Sequence, residues 1–236
     1  MIRCLIIDDE PNARRELEKL LLATGRFEIN GQCGNAVEGV KTINKQRPEV
    51  IFLDIQMPVI DGFEMLSMID HEIMPQVVFV TAYDEFAIKA FEEKTLDYLL
   101  KPVRAERLAV TVEKLLERLR ANNTPEYDTA RLTRIPCIKG GNIKLISVAE
   151  VEYALTDISG VHVAIAGQSF NTDLTLKALE ERTELVRCHR SYLVNLEQID
   201  QIIPGESGVA EIKTLSGQLL PVSRRHLKEV KRLIGI

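Results

Sequence analysis

The chain contains no apolar run approaching the roughly 18 residues of a helical membrane span, so no membrane insertion is expected. Met1-Ile2-Arg3-Cys4 runs straight into strand-like residues, and no secretory leader is expected either. Cysteine is scarce and scattered, at Cys4, Cys33, Cys137 and Cys188, without a CxxC pair. That spacing argues against a zinc knuckle or a dithiol redox centre and fits small buried hydrophobes in a reducing cytoplasm. No internal repeat is visible, which excludes solenoids and propellers. The net charge of −5 argues against indiscriminate nucleic-acid binding. It is unevenly spread, however. Residues 1–122 hold 16 Lys and Arg against 21 Asp and Glu, whereas residues 123–236 hold 14 of each.

The halves also differ in rhythm. In the first, short apolar runs near residues 2–7, 28–32, 50–53, 77–80 and 96–100 alternate with helical patterns. Leu17, Leu20 and Leu21 recur at helical spacing after Pro11, and Leu108, Val112, Leu115 and Leu119 do so after the last run. Such alternation predicts a doubly wound α/β domain over residues 1–120, with a five-stranded parallel sheet covered on both faces. Residues 121–132 lose periodicity and read as a linker. Residues 133–236 are mostly β, with alternating segments at 143–145, 151–153, 161–165 and 210–212. Short helices are expected near 174–181, after Asp173, and near 224–233, after Ser223.

Four strand ends in the first half carry polar groups: Asp8-Asp9 after residues 2–7, Asp54 after 50–53, Thr81 after 77–80 and Lys101 after 96–100. In open α/β sheets functional groups gather beyond the carboxyl ends of the strands. An Asp alone is a poor phosphoryl acceptor, because its charge repels the incoming anion. Mg²⁺ removes that repulsion by bridging carboxylate and phosphoryl oxygens. The Asp8-Asp9 turn and Asp54 could ligate such an ion, while Lys101 offers a positive charge to a phosphoryl oxygen and Thr81 a neutral donor. Adjacent acids after a strand are, singly, most often helix caps or solvated charge. Four polar strand ends in order form a more specific signal.

Residues 1–120 resemble the receiver domain of bacterial two-component response regulators, flavodoxin-like in fold. The resemblance implies Asp54 as phosphoacceptor, with Asp8, Asp9, Asp54 and the Gln56 backbone carbonyl as Mg²⁺ ligands. It implies Thr81 as switch hydroxyl, Tyr98 as rotating aromatic switch, and Lys101 as phosphate-stabilising cation followed by a cis Pro102. Met57-Pro58 and Asp61-Gly62 fit the family's loop after the acceptor. Phe86, Ile88 and Phe91, amid charges within residues 84–108, mark an expected dimer face.

The second half shows no catalytic constellation. His162, His189 and His226 lack metal-ligand spacing, and there is no Gly-rich phosphate loop or nucleophile elbow. Basic residues are nevertheless concentrated: Arg187, His189 and Arg190 on a strand-like edge, and Ser223-Arg224-Arg225-His226-Leu227-Lys228 opening the last helix. On that helix Leu227, Val230 and Ile234 form a core stripe, opposite Arg224, Lys228, Lys231 and Arg232. Such a basic face is by default merely solvated. Here Glu229 is the one acid after Pro221, and a helix N-terminus favours phosphate.

Residues from about 133 to 236, including His189-Arg190-Ser191-Tyr192-Leu193-Val194-Asn195 and Pro221-Val222-Ser223-Arg224-Arg225, resemble the LytTR DNA-binding domain. The chain is thus similar to the LytR/AlgR regulators, whose mostly-β output presents loops to DNA. That implies His189, Arg190, Arg224, Arg225 and Lys228 as DNA-reaching residues, with a third contact from the loop near residues 157–160. Arg190 stands where relatives often carry Asn, and Arg favours guanine whereas Asn favours adenine, so the base it reads is not carried over from them. A sensor histidine kinase, promoter DNA with tandem direct repeats, RNA polymerase and a homodimer on DNA are the implied partners of this cytoplasmic regulator, which turns over no separate substrate. Two alternatives remain at the level of the residues: a protein- or RNA-interaction module as the second half, and a phosphotransfer enzyme acting on a small molecule. The latter is disfavoured, since a dehalogenase-like phosphatase needs a second Asp where Gln56 stands.

Overall fold

The computed structural model describes residues 1–83, 95–121, 127, 131–140, 142–205, 209–235, and forms two compact units, Met1–Ala130 and Arg131–Ile236. Phe86, Ile88 and Phe91, and most of the segment read as a linker, lie outside the described residues.

In the first unit five parallel strands, β1 (Ile2–Ile7), β2 (Phe27–Cys33), β3 (Val50–Leu53), β4 (Gln76–Thr81) and β5 (Asp97–Leu100), form one sheet in the order β2-β1-β3-β4-β5. The described helices are α1 (Pro11–Ala23), α2 (Ala36–Gln46), α3 (Gly62–Leu66) and α4 (Ala105–Arg120). This is the doubly wound order whose switch point lies between β1 and β3, where ligands bind. One face of the sheet packs Ile6, Phe52, Val78 and Leu99 against Leu17 and Leu21 of α1 and Leu108, Val112 and Leu115 of α4. These helical residues are the ones that the spacing selects, and each full burial contributes roughly 1.5–3 kcal/mol. The other face is closed by α2 and α3. There Phe63 and Phe79 lie 4.8 Å apart between ring centroids, and a Cβ at Gly39 would meet Met65 Cε at 2.7 Å. Every residue of β3 and β4 is buried, as a parallel sheet covered on both sides requires.

The end of this unit differs from the sequence expectation. Tyr127, within the stretch read as linker, is buried, and its hydroxyl accepts from the Val77 N–H at 2.9 Å. The phenol caps a backbone donor at the start of β4. A sequence window has no means of showing a partner 50 residues away.

The second unit is antiparallel throughout its described pairings. β6 (Arg134–Lys139), β7 (Asn142–Ser147), β8 (Tyr153–Asp157), β9 (Gly160–Ile165), β10 (Gln168–Thr172), β11 (Val186–His189) and β12 (Tyr192–Val194) make a seven-stranded sheet in the order β11-β12-β8-β9-β10-β6-β7. A smaller sheet holds β13 (Ile199–Pro204), β14 (Ala210–Thr214) and β15 (Leu219–Val222). Two helices, α5 (Leu176–Arg182) and α6 (Arg224–Leu233), complete it. The strand expected at residues 151–153 begins only at Tyr153, because Val148–Glu150 forms a 3-10 turn and Glu152 is diverted into a buried contact. The Glu152 carboxylate accepts from Ala166 N at 3.1 Å and from Ser216 Oγ at 2.6 Å, joining turns of the two sheets. Cys188, Ile212, Val222 and Val230 form the core beneath α6, with Leu227 packed against them.

Candidate phosphoacceptor site and nucleic-acid interface

The turns after β1 and β3 bring Asp8 and Asp54 together because their strands are neighbours in register, Ile7 opposite Leu53. Both acids are buried, at 4% and 6% exposure, while Asp9 is half-buried. Carboxylate oxygens of Asp8, Asp9 and Asp54 lie within 4.8 Å of one another. Lys101, carried past β5, places its Nζ 2.6 Å from Asp54 Oδ2 and 2.7 Å from Asp8 Oδ2. Its backbone N–H donates to the Thr81 carbonyl at 2.8 Å, which ties the ends of β4 and β5 together. The Lys101-Pro102 peptide is cis.

The electrostatics follow from this crowding. Burial pushes the Asp8 carboxyl above its ordinary range, outweighing the hydrogen bond from Lys101. Burial alone would lower the Lys101 ammonium, but its bonds and charge interactions with Asp54 and Asp8 hold it above the usual lysine value. The Asp8, Asp9 and Asp54 carboxylates, with Glu10 a further 3.8 Å ion partner of Lys101, outnumber the one ammonium, a local excess of negative charge in an all-oxygen donor set. Hard divalent cations favour such sets.

The remaining predicted residues surround this centre. Gln56 is exposed, and its N–H donates to Asp54 Oδ1 at 3.2 Å. Thr81 is fully buried, and among the described residues its Oγ1 has no hydrogen-bond partner. The Tyr98 hydroxyl donates to the Tyr83 carbonyl, on the rim of the same end of the sheet. Asp9, Gln56, Met57, Pro58 and Asp61 line a concavity beside the acids. Two supports were not legible as such in the sequence. Arg14 of α1 donates to the Asp8 carbonyl at 2.5 Å, and Gly62 lets its backbone approach Asp54.

In the second unit the predicted residues fall on two elements. His189 and Arg190 belong to the β11–β12 hairpin, and Arg224, Arg225 and Lys228 to the first turns of α6. The elements touch: Ser223 N donates to the Cys188 carbonyl at 3.0 Å, so the helix starts beside the hairpin. Arg190, Arg224, Arg225 and Lys228 are exposed, and among the described residues none of them has an ion pair. Arg187 and Arg232, by contrast, are neutralised by Glu180 and Glu229. Ser223 does not cap α6; its Oγ pairs with His226 Nδ1 at 2.7 Å instead. The proposed third loop is the β8–β9 turn, where Asp157 Oδ1 accepts from Ser159 Oγ at 2.6 Å and lies 3.2 Å from His162 Nε2.

Comparison with known proteins decides the family. Residues 4–113 match the response regulator receiver domain, and residues 141–235 match the LytTr DNA-binding domain. A response regulatory protein of Vibrio cholerae is 53% identical over 235 residues, covering 100% of this chain and 99% of its own. The chain belongs to the LytTR response regulators. The transcriptional regulatory protein BtsR of Escherichia coli K12 is 47% identical over 244 residues, covering 100% of both chains. Among solved structures, the response regulatory domain of protein mrkE from Klebsiella pneumoniae matches 51% of this chain and 99% of its own, with 30% identity and a TM-score of 0.47. By its two family matches, this response regulator couples a receiver to a DNA-binding output. Among its described residues no helix is long and apolar enough to cross a membrane.

Proposed function

We propose that this cytoplasmic regulator accepts a phosphoryl group on Asp54 from a sensor histidine kinase and then binds tandem promoter sites as a homodimer through its LytTR unit, acting on RNA polymerase. The observation that carries the reading is the convergence on Asp54: Lys101 Nζ at 2.6 Å, with Asp8 and Asp9 in the same acidic cluster. The donors fit Mg²⁺, with Asp8, Asp9, Asp54 and the Gln56 carbonyl as its candidate ligands. When bound, Mg²⁺ supplies charge neutralisation between the carboxylates and the phosphoryl oxygens.

The chain's own residues do the rest. Asp54 supplies the attacking oxygen. Lys101 exchanges one of its two closest carboxylate partners for a phosphoryl oxygen, and the buried Thr81 hydroxyl donates to another. Moving Thr81 toward the phosphoryl group vacates space into which Tyr98 turns, releasing the Tyr83 carbonyl. A complete reversal from inactive to active needs a differential of about 5.5 kcal/mol. Two hydrogen bonds to the charged phosphoryl group, at about 1.5–3 kcal/mol each, can supply it.

For the output, Arg190, Arg224, Arg225 and Lys228, cations without an ion pair among the described residues, form the DNA face with His189. The exposed residues of the hairpin read base edges, and those at the start of α6 hold phosphate. Footprinting on genomic fragments tests the whole reading. The phosphorylated protein should protect two adjacent sites at lower concentration than the Asp54→Asn variant. Equal protection by both, with and without phosphodonor, would refute it.

A further inference from the structure

The β11–β12 hairpin is tight and bulged. Its last pair is His189 with Tyr192, so Arg190 and Ser191 form a two-residue tip. A register shift between Arg187 and His189 makes Cys188 an extra residue on β11, and such bulges re-aim the side chains beside them. Arg187, on that bulged strand, does not face solvent as a free cation. Its side chain is 17% exposed, and Glu180 of α5 accepts from its Nε at 3.0 Å and from its Nη2 at 2.5 Å. Nη2 also reaches the Leu176 carbonyl at 3.5 Å, and Nη1 donates to the carbonyl of Arg190 at 3.2 Å.

We infer that Arg187 is a positioning residue for sequence reading: clamped by Glu180, its guanidinium fixes the turn from which Arg190 reaches DNA. The inference rests on the reading that this hairpin faces DNA. Three features separate a clamp from a phosphate ligand. The charge of Arg187 is already matched by Glu180, so a phosphate would have to displace a carboxylate. Its planar fork is spent on three acceptors belonging to α5 and the turn, a geometry that lysine's point charge does not reproduce. Its neighbours Arg190 and Arg225 are exposed and carry no ion pair among the described residues, as phosphate or base contacts require. Bidentate recognition of a base tolerates displacements of only about 0.5 Å and 10–20°, so holding the Arg190 backbone bears directly on specificity.

The test uses the full-length phosphorylated protein and two probes of equal length, a footprinted genomic duplex and a scrambled duplex. Affinity for each is measured from low to moderate salt, for Arg187→Lys, Arg187→Ala, Glu180→Gln and Arg190→Ala. Arg187→Lys keeps the charge and Glu180→Gln keeps the shape, so thermal unfolding close to wild type is expected for both. A clamp predicts that either change lowers the ratio of specific to scrambled affinity about tenfold, part of what a bidentate base contact is worth. In Arg187→Lys the slope of log affinity against log salt should stay unchanged, because no phosphate contact is lost. An unchanged ratio in Arg187→Lys would overturn the inference. So would a slope reduced by about one unit in an Arg187→Ala variant with both affinities lowered equally, since that is the signature of a phosphate ligand. Arg190→Ala separates the two levels: if it leaves the ratio untouched, the reading of the hairpin as the DNA face itself fails, and the clamp with it.

Discussion

A Cβ on Gly62 would stand 2.5 Å from the carbonyl oxygen of Asp54 and 3.1 Å from Ile55 Cα. The obstruction is backbone, so it has no side chain to swing aside. Gly62 N in turn donates to the Ile55 carbonyl at 2.8 Å, which closes the loop between β3 and α3. The glycine therefore lets the backbone of this loop close against that of Asp54 and Ile55. Gly62→Ala should destabilise the receiver unit by about 1–3 kcal/mol, in the range of overpacking changes. It should also slow phosphorylation of Asp54 by acetyl phosphate. Urea unfolding and the labelling rate check both effects.

Asp97 gives the receiver a predictable acid response. Burial would raise its carboxyl, but hydrogen bonds from Arg107, Thr111 and Lys114 of α4 more than offset this and hold it well below the usual carboxylate range. The guanidinium of Arg107 binds both carboxylate oxygens, at 2.6 and 2.7 Å, and also the Tyr98 carbonyl at 3.0 Å. A depressed folded-state pKa means that the stabilisation is fully present above the unfolded Asp value, about 3.9, and is lost as pH falls below it toward the folded value. Receiver unfolding followed between pH 7 and 3 should show a loss of stability at the acid end. Asp97→Asn should show a smaller one.

Glu152 makes the same argument for the output unit. Burial would raise it, but bonds from Ser216, Thr214 and Ala166 hold it below the ordinary glutamate value. Replacing it with Ala leaves the backbone N–H of Ala166 and the hydroxyl of Ser216 without their acceptor. A cost of about 1–3 kcal/mol is expected in chemical denaturation of this unit, with DNA affinity falling as a consequence.

Arg190 and Lys228 should fail in different ways. Arg190→Ala should cost about 1–3 kcal/mol on the preferred sequence and relax discrimination at one base position. Lys228→Ala should weaken all sequences alike and flatten the salt slope by about one unit. Because one LytTR unit reads only a short site, two units should bind direct repeats one or two helical turns apart. Inserting about 5 bp, half a turn, between the repeats should then abolish cooperative binding. Gel shifts on the spaced duplexes check this.

Much of the receiver was legible because its strands are continuous apolar runs that end in polar residues. Ile7 leads to Asp8, Leu53 to Asp54 and Val80 to Thr81, and a parallel sheet brings such ends together whatever the helices between them. The output unit was less legible. Strands such as Arg134–Lys139 and Val186–His189 are half-buried, interrupted by proline or a bulge, and carry no clean alternation. Arg187 read as one cation among several because its partner Glu180 lies on another element. The anchoring of Tyr127 on Val77 and the capture of Glu152 by Ser216 were hidden for the same reason: long-range hydrogen bonds leave no local pattern.

The most direct measurement is intact-mass analysis of the protein after incubation with Mg²⁺ and acetyl phosphate. One base-labile phosphoryl group per chain is expected, mapping to Asp54 and absent from Asp54→Asn. Asp9→Ala should be labelled more slowly, with partial rescue by added metal. Stoichiometric labelling that persists in Asp54→Asn would contradict the account.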